Sequence, residues 1–312
     1  MTRPSVEDGW HEVNTSLDVG RLRLLREVEL RGSIAAAARE VGLTPSAVSQ
    51  QLAILEREAG TVLLDRSPRG VLLTGAGQVL VGRARAILEL LEEARADLDR
   101  LTGELSGCVR IGTVASAAAA LVSEAAIRLS AEHAALELTV SVAEPARSID
   151  QLLNGDLDLA VVDVYDGVPV PMPDYLVATD LCTEPLVVIG AAGALPDGGG
   201  LKLSALSGAG WVMPPLDAAC GQAVRLACRA EGFEPQVRWE TDDMLLLVRA
   251  VAAGHGIAVL PRLAVADNVA DIEIRPLAEP SMSRRLLALT RTSSQDRPVI
   301  RAVLDQLVKA AG

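Results

Sequence analysis

Residues 33–57, SIAAAAREVGLTPSAVSQQLAILER, constrain this chain more than any other stretch. Ser33 is placed to cap a helix over Ile34–Val41, where Ala35, Ala36, Ala37 and Ala38 let another helix cross closely. Gly42 supplies a turn in which a positive φ costs little. Thr44 follows as an N-cap, with Pro45 at the first helical position, where a missing N–H loses no bond. Val48, Leu52 and Leu55 then fall at i, i+4 and i+7 and form one buried stripe, leaving Ser46, Ser49, Gln50, Ala53 and Arg57 outside. An earlier helix over Leu17–Arg31 carries Leu22, Leu25 and Val28 and stops at Gly32.

A helix with one face for its own domain and a short polar face outward suits the major groove of DNA. An amphipathic hairpin with a merely solvated outer face is the alternative, but such faces usually carry Lys and Glu instead of Ser-Ser-Gln. Val62–Leu64 and Val71–Leu73 bracket the basic tip Arg66-Ser67-Pro68-Arg69-Gly70, which predicts a winged hairpin. Arg69 is placed for the flanking minor groove and Arg66 for the backbone. Beyond Thr74 a long helix repeats Leu80, Ala84, Ile87, Leu91, Ala94, Leu98, Leu101 and Leu105 in alternating steps of four and three. That seam predicts a pairing helix, although burial within one domain uses the same pattern.

The charge balance bears on this reading. The chain has 29 basic and 41 acidic residues, a net charge of −12. Residues 17–77 hold eight arginines against seven acids, a balance of +1, so the acidity sits almost wholly in residues 78–312 at −11. Phosphate contact depends on local arginines, because charges beyond a Debye length of roughly 8 Å are screened. Aromatic residues make up 2% of the chain, which argues against base stacking on an aromatic platform. No apolar run reaches the roughly 18–20 residues of a membrane span, and the first sixteen residues read as a loose polar arm without a signal-peptide core. The expected location is the cytoplasm. Cys108, Cys182, Cys220 and Cys228, with three scattered histidines, form no zinc-ligand cluster. No metal and no cofactor are expected.

After Gly107 the pattern alternates. Strands at Val109–Val114, Leu136–Val142 and Leu157–Asp163 enclose helices at Ala117–Ala131 and Ala146–Asn154, which predicts a largely parallel covered sheet. A second set follows, with strands near Leu186–Ile189, Trp211–Met213, Gln236–Glu240 and Ile257–Leu260 and helices Cys220–Glu231 and Asp243–Ala253. Gly190–Gly200 reads as a surface loop, and Leu286–Thr290 with Val299–Ala310 closes the chain. Two α/β subdomains joined near 164–183 and 261–283 imply a cleft between them, lined from the ends of Val114, Val142, Val162 and Met213. If Glu144 and Asp163 face that cleft together with Asp217 or Asp242, they disfavour an anion and favour a cationic or amino-acid ligand. They otherwise serve as solvated loop acids.

AAAREVGLTPSAVSQQLAILE, then LLDRSPRGVLLTGAG, then the paired helix, resembles the LysR-type transcriptional regulators; NGDLDLAVVD and LLLVRAVAAGHGIAVLP extend the likeness to the carboxyl-terminal part. The resemblance implies an α+β multidomain chain: an N-terminal winged helix-turn-helix over 17–77 after the arm of 1–16, and a dimerisation linker helix over 78–105. It also implies a periplasmic-binding-protein-like effector domain over 108–312, with subdomain I about 108–163 and 284–312 and subdomain II about 181–265. Implied partners are double-stranded DNA, a small-molecule effector and further copies of the chain, as homodimer or homotetramer, with no membrane. The DNA-reading role carries over to Ser46, Ser49 and Gln50, with Thr44 and Pro45 at the phosphate-facing end and Arg57, Arg66 and Arg69 as basic contacts. Effector contacts carry over to Ala115, Ser116, Glu144, Pro214 and Pro215, and more distantly to Thr241 and Asp242; Ser116 is equally a helix cap.

One branch of that family senses peroxide with two cysteines in a comparable helix. Here Cys220 and Cys228 are i, i+8. That is about 12 Å along a helix, against the roughly 7 Å limit between Cα atoms that a disulfide tolerates. Buried thiols are expected instead. The competing functional class is a solute receptor or enzyme using the cleft, but the chain has no phosphate-binding glycine loop, no G-x-S-x-G elbow and no His paired with a nucleophile. No catalytic residue is expected.

Overall fold

The structure is a computed structural model that describes residues 17–67, 70–102, 105–170, 172–196, 198–265 and 271–312. The arm of 1–16, Arg69 at the hairpin tip and Gly103 lie outside the described residues, as do the side chains of Arg66 and Leu101. The chain divides into two compact units, Met1–Arg95 and Ala96–Gly312.

In the first unit, α1 (Val19–Arg31), α2 (Ile34–Glu40) and α3 (Pro45–Ala59) follow the caps written in the sequence. Asp18, Ser33 and Thr44 each accept an amide of the following first turn, and Gly32 and Gly60 end α1 and α3 in the left-handed region. Leu22, Leu25, Val28, Ala37, Ala38, Val48, Leu52 and Leu55 pack into one core. Each leucine buried there contributes on the order of 2 kcal/mol. The wing consists of β1 (Leu64–Ser67) and β2 (Gly70–Leu73), paired antiparallel with Arg66 opposite Val71. Its first strand therefore starts two residues later than the expected Val62–Leu64. At its root Glu56 Oε1 accepts the amides of Leu63 and Leu64, the Leu63 carbonyl accepts the Thr74 amide, and the Val62 carbonyl accepts the Thr74 hydroxyl.

Helix α4 (Gly75–Thr102) is 28 residues long. Its expected seam divides. Ala84 is buried and Leu80 and Ile87 are half-buried against the reader's core, joined by Val81. Farther along, Leu91 is 45% and Leu98 58% exposed. Leu105, past the helix, packs against the core of the second unit.

That unit begins with β3 (Gly107–Thr113), then α5 (Ala115–Ala117), a π turn at Ala118–Val122, α6 (Ser123–Glu132), β4 (Leu136–Val142), α7 (Pro145–Leu153) and β5 (Leu159–Tyr165). Next come β6 (Leu176–Ala191), β7 (Leu201–Lys202), β8 (Gly210–Met213), α8 (Ala219–Ala230), β9 (Gln236–Glu240) and α9 (Met244–Ala252). The unit closes with β10 (Ala258–Pro261), β11 (Ile272–Glu279), β12 (Ser283–Arg291) and α10 (Pro298–Ala311). Among the described residues the main sheet runs β4-β3-β5-β12-β6-β11-β7, with β10 also on β6.

Two expectations need correction. The sheet is mixed, not largely parallel: β3 is parallel to β4 and β5, but β12 is antiparallel to both β5 and β6, and β10 and β11 are antiparallel to β6. Residues 176–183 are also no connecting segment. They form the first half of β6, paired with β12, while Leu186–Ala191 of the same strand pairs with β10 and β11. The chain thus passes between subdomains inside a strand, so the crossing backbone keeps its hydrogen bonds. Separate cores result. One lies under β3, β5, α6 and α10, a second on the α7 face, and a third around Trp211 and Val188.

Candidate functional site

In the reader, the Thr44 hydroxyl accepts the Ala47 amide at 3.2 Å and lies 3.0 Å from the Ser46 hydroxyl. Ser46, Gln50, Ala53 and Arg57 are exposed and Ser49 is half-buried, all opposite the Val48–Leu52–Leu55 stripe. Arg57 Nε donates to the Ala53 carbonyl at 3.4 Å, within its own helix. Arg21 braces α3 from α1, donating to Glu58 at 2.8 and 3.2 Å. Gly77 sits so close to the wing root that a Cβ there falls 2.2 Å from the Leu63 carbonyl oxygen, which fixes the first turn of α4 against the wing. A helix held by caps, an ion pair and a packed stripe presents its polar face rigidly, as groove reading requires.

In the second unit, a cavity of about 140 Å³ opens at the C-terminal ends of β3, β4 and β5. Of the expected effector residues, Ala115, Ser116, Glu144 and Pro214 line it, as does Asp242. Pro215 and Thr241 lie outside its lining. The Pro215 carbonyl accepts the Ala218 amide, and the Thr241 hydroxyl accepts the Asp243 amide, so both shape the turns that carry their neighbours. Val114 and Val142 line the wall as expected, while Asp163 and Pro214 stand there in place of Val162 and Met213, each one residue later in the chain.

The floor was not anticipated. Arg284, 2% exposed, donates through Nη1 to Asp163 Oδ2 at 3.0 Å and through Nη2 to Ser116 Oγ at 2.8 Å. Its Nε and Nη2 reach Glu184 Oε1 at 2.7 and 2.5 Å. Burial opposes the guanidinium's charge, but Tyr165, Asp163 and Glu184 outweigh it and hold its pKa above the ordinary value. Tyr165 donates to Asp163 Oδ2 at 3.0 Å, and its phenol is pushed well up, first by burial and then by Cys220 and Asp163. Strand alternation did not single it out, because both faces of β12 are buried, Leu286 and Ala288 in one core and Leu287 and Leu289 in another.

Glu144 links the two walls. Its Oε2 accepts the Ala219 amide at the start of α8 at 3.1 Å. Its pKa is raised chiefly because the protein crowds it from water. The Ala219 amide opposes that, and the charges of Asp163, Asp217 and Asp242 add to it. Cys220 also lines the cavity, and Cys228 lies two turns along α8. Both are buried, and burial pushes both thiols up to about 12. Among the described residues no three His, Cys, Asp or Glu side chains form a metal-holding group. None of the described helices is long and apolar enough to cross a membrane.

Residues 19–78 match the model for the bacterial regulatory helix-turn-helix protein of the lysR family, and residues 102–312 match that for the LysR substrate binding domain. The small neutral protease regulatory protein of Streptomyces coelicolor is 31% identical over 279 residues, covering 86% of this chain and 85% of that one. The nitrogen assimilation regulatory protein nac of Klebsiella aerogenes is 29% identical over 274 residues, 86% of this chain and 87% of its own. A full-length OxyR variant from Pseudomonas aeruginosa shares the fold, with a TM-score of 0.74 at 21% identity over 95% of each chain. With a reader matched at one end and an effector domain over more than half its length, this chain belongs to the LysR family of DNA-binding transcriptional regulators, proteins that are not enzymes.

Proposed function

We propose that Ser46, Ser49 and Gln50 meet base edges in the major groove, with Thr44 and Pro45 at the phosphate-facing start of α3 and Arg57 farther along it. Arg66 and Arg69 of the wing reach the flanking backbone and minor groove. The observation that carries this is the rigid α3 face, short and polar over its exposed turns, set on a packed stripe. The working division is a reader over 17–77, a linker helix over 78–105 and an effector domain over 108–312, acting in the cytoplasm as a dimer or tetramer. Leu91 and Leu98, exposed on one side of α4, supply the pairing seam.

The effector occupies the cavity bounded by Ala115, Ser116, Glu144 and Pro214, with Pro215 and Thr241 positioning its walls. Because Glu144 joins the walls through Ala219, a ligand there changes the relative stability of open and closed clefts, and that difference is what biases the regulator. Genome-wide capture of DNA by the purified protein tests the reading: discrete enriched sites with a shared half-site are expected. Uniform capture overturns the base-contact assignment.

A further inference from the structure

We propose that the effector is a small organic cation, a primary ammonium compound whose head group sits between Asp163, Glu144 and Asp242. The inference rests on the reading of this cavity as the effector site and names the ligand class it takes.

The cavity is lined by three carboxylates, Glu144, Asp163 and Asp242, and by one basic side chain, Arg284. That arginine is not available to an incoming anion. Its guanidinium already serves Asp163, Glu184 and Ser116, so one positive charge faces two buried carboxylates before Glu144 and Asp242 are considered. One buried carboxylate is thus in excess at the floor, and the exposed Glu144 and Asp242 at the cavity's wall add to the negative charge, which favours a cation.

Asp163 is 4% exposed, yet its Oδ1 has no hydrogen-bond partner while Oδ2 serves Arg284 and Tyr165. A buried carboxylate oxygen left without a partner costs free energy that a donor recovers. Tyr165 donates its proton to Asp163, so its oxygen offers lone pairs only. At the start of α8, the Ala219 amide that an anion would use is taken by Glu144. Among the side chains at the cavity, Glu144, Asp163, Asp242 and the Tyr165 oxygen offer acceptors, and an ammonium group brings three donors and no acceptor.

The cavity, about 140 Å³, compares with the roughly 150 Å³ engineered cavity that takes benzene, so it accepts about six heavy atoms. This fits an ammonium group on a short chain. No three His, Cys, Asp or Glu among the described residues form a metal-holding group, and an organic cation is the occupant assigned, with magnesium as the alternative outcome of the test.

The test is thermal denaturation and calorimetric titration of the full chain with 1,4-diaminobutane, L-lysine, succinate and magnesium. An amine is expected to raise the melting temperature, and Asp242→Asn to weaken its binding about tenfold, as loss of a charge-assisted hydrogen bond does. Succinate binding without amine binding overturns the cationic class while leaving the cavity as effector site. Magnesium binding without amine binding overturns the organic cation. Amine binding unchanged in both Asp242→Asn and Glu144→Gln places the amine elsewhere and overturns the site. Silence with every probe overturns the proposal too, whereas failure of the DNA capture above concerns the reader alone.

Discussion

The Glu144 carboxylate accepts the Ala219 amide at 3.1 Å from 75 positions earlier in the chain, joining the two walls of the regulatory cleft. The pKa of Glu144 is raised, so the folded state favours its protonated form. That contribution is present below the ordinary glutamate range and is lost as pH rises through the raised value. Glu144→Gln keeps an oxygen for the amide and carries no charge. Its unfolding midpoint should equal the parent's in acid and exceed it at neutral pH, with the gap opening between the ordinary and the raised pKa. A gap of opposite sign at neutral pH contradicts this.

Arg284 is buried with Asp163 and Glu184, and replacing it by Met strands both carboxylates. The expected loss is about 3–5 kcal/mol in the urea transition of the regulatory unit. Arg284→Lys should recover little, since an ammonium lacks the planar fork that reaches Glu184, Asp163 and Ser116 together.

Asp158 accepts the Arg110 amide and guanidinium at 2.9 and 3.0 Å. Burial opposes its charge, but the hydrogen bond and charge of Arg110, aided by the Arg110 amide and Arg297, hold its carboxyl below the usual range. A depressed pKa gives stability that is present above the unfolded value and lost as pH falls through the folded one. Asp158→Asn should cost about 3 kcal/mol at neutral pH. It should also flatten the acid limb of the stability profile below the ordinary aspartate pKa.

In the reader, Gln50→Ala should relax preference at one base pair per half-site, read from relative affinities across a substituted-operator panel. Arg57→Gln should weaken binding evenly across sequences and lower the salt slope by about 1. The reverse pattern would exchange their roles.

Leu91 and Leu98 stand exposed along α4. Leu91→Glu with Leu98→Glu should turn the assembly seen by sedimentation into monomers and leave the helical circular dichroism of the chain unchanged.

The caps, the turn at Gly42 and the Val48–Leu52–Leu55 stripe were legible in the sequence because each depends on residues within about two turns of one another. The heptad seam was only partly legible. Its spacing shows that Ala84 and Leu91 share a face, but not that the reader's own core takes the first and leaves the second exposed. The cleft's walls could be placed by strand ends, whereas Arg284 could not be assigned to its floor, since Ser116 and Asp163 lie 168 and 121 positions from it.

The sequence by itself determined what local energetics determine: the winged reader, the alternation of strands and helices, and the separation of the acidic remainder from a near-neutral DNA-binding end. Only the tertiary structure decided that β6 crosses between subdomains as a continuous strand, that Arg284 is already engaged, and that Asp163 keeps an oxygen without a partner. These are long-range pairings, and burial, which turns a carboxylate's charge from a solvated feature into a demand for a partner, exists only once the chain has folded.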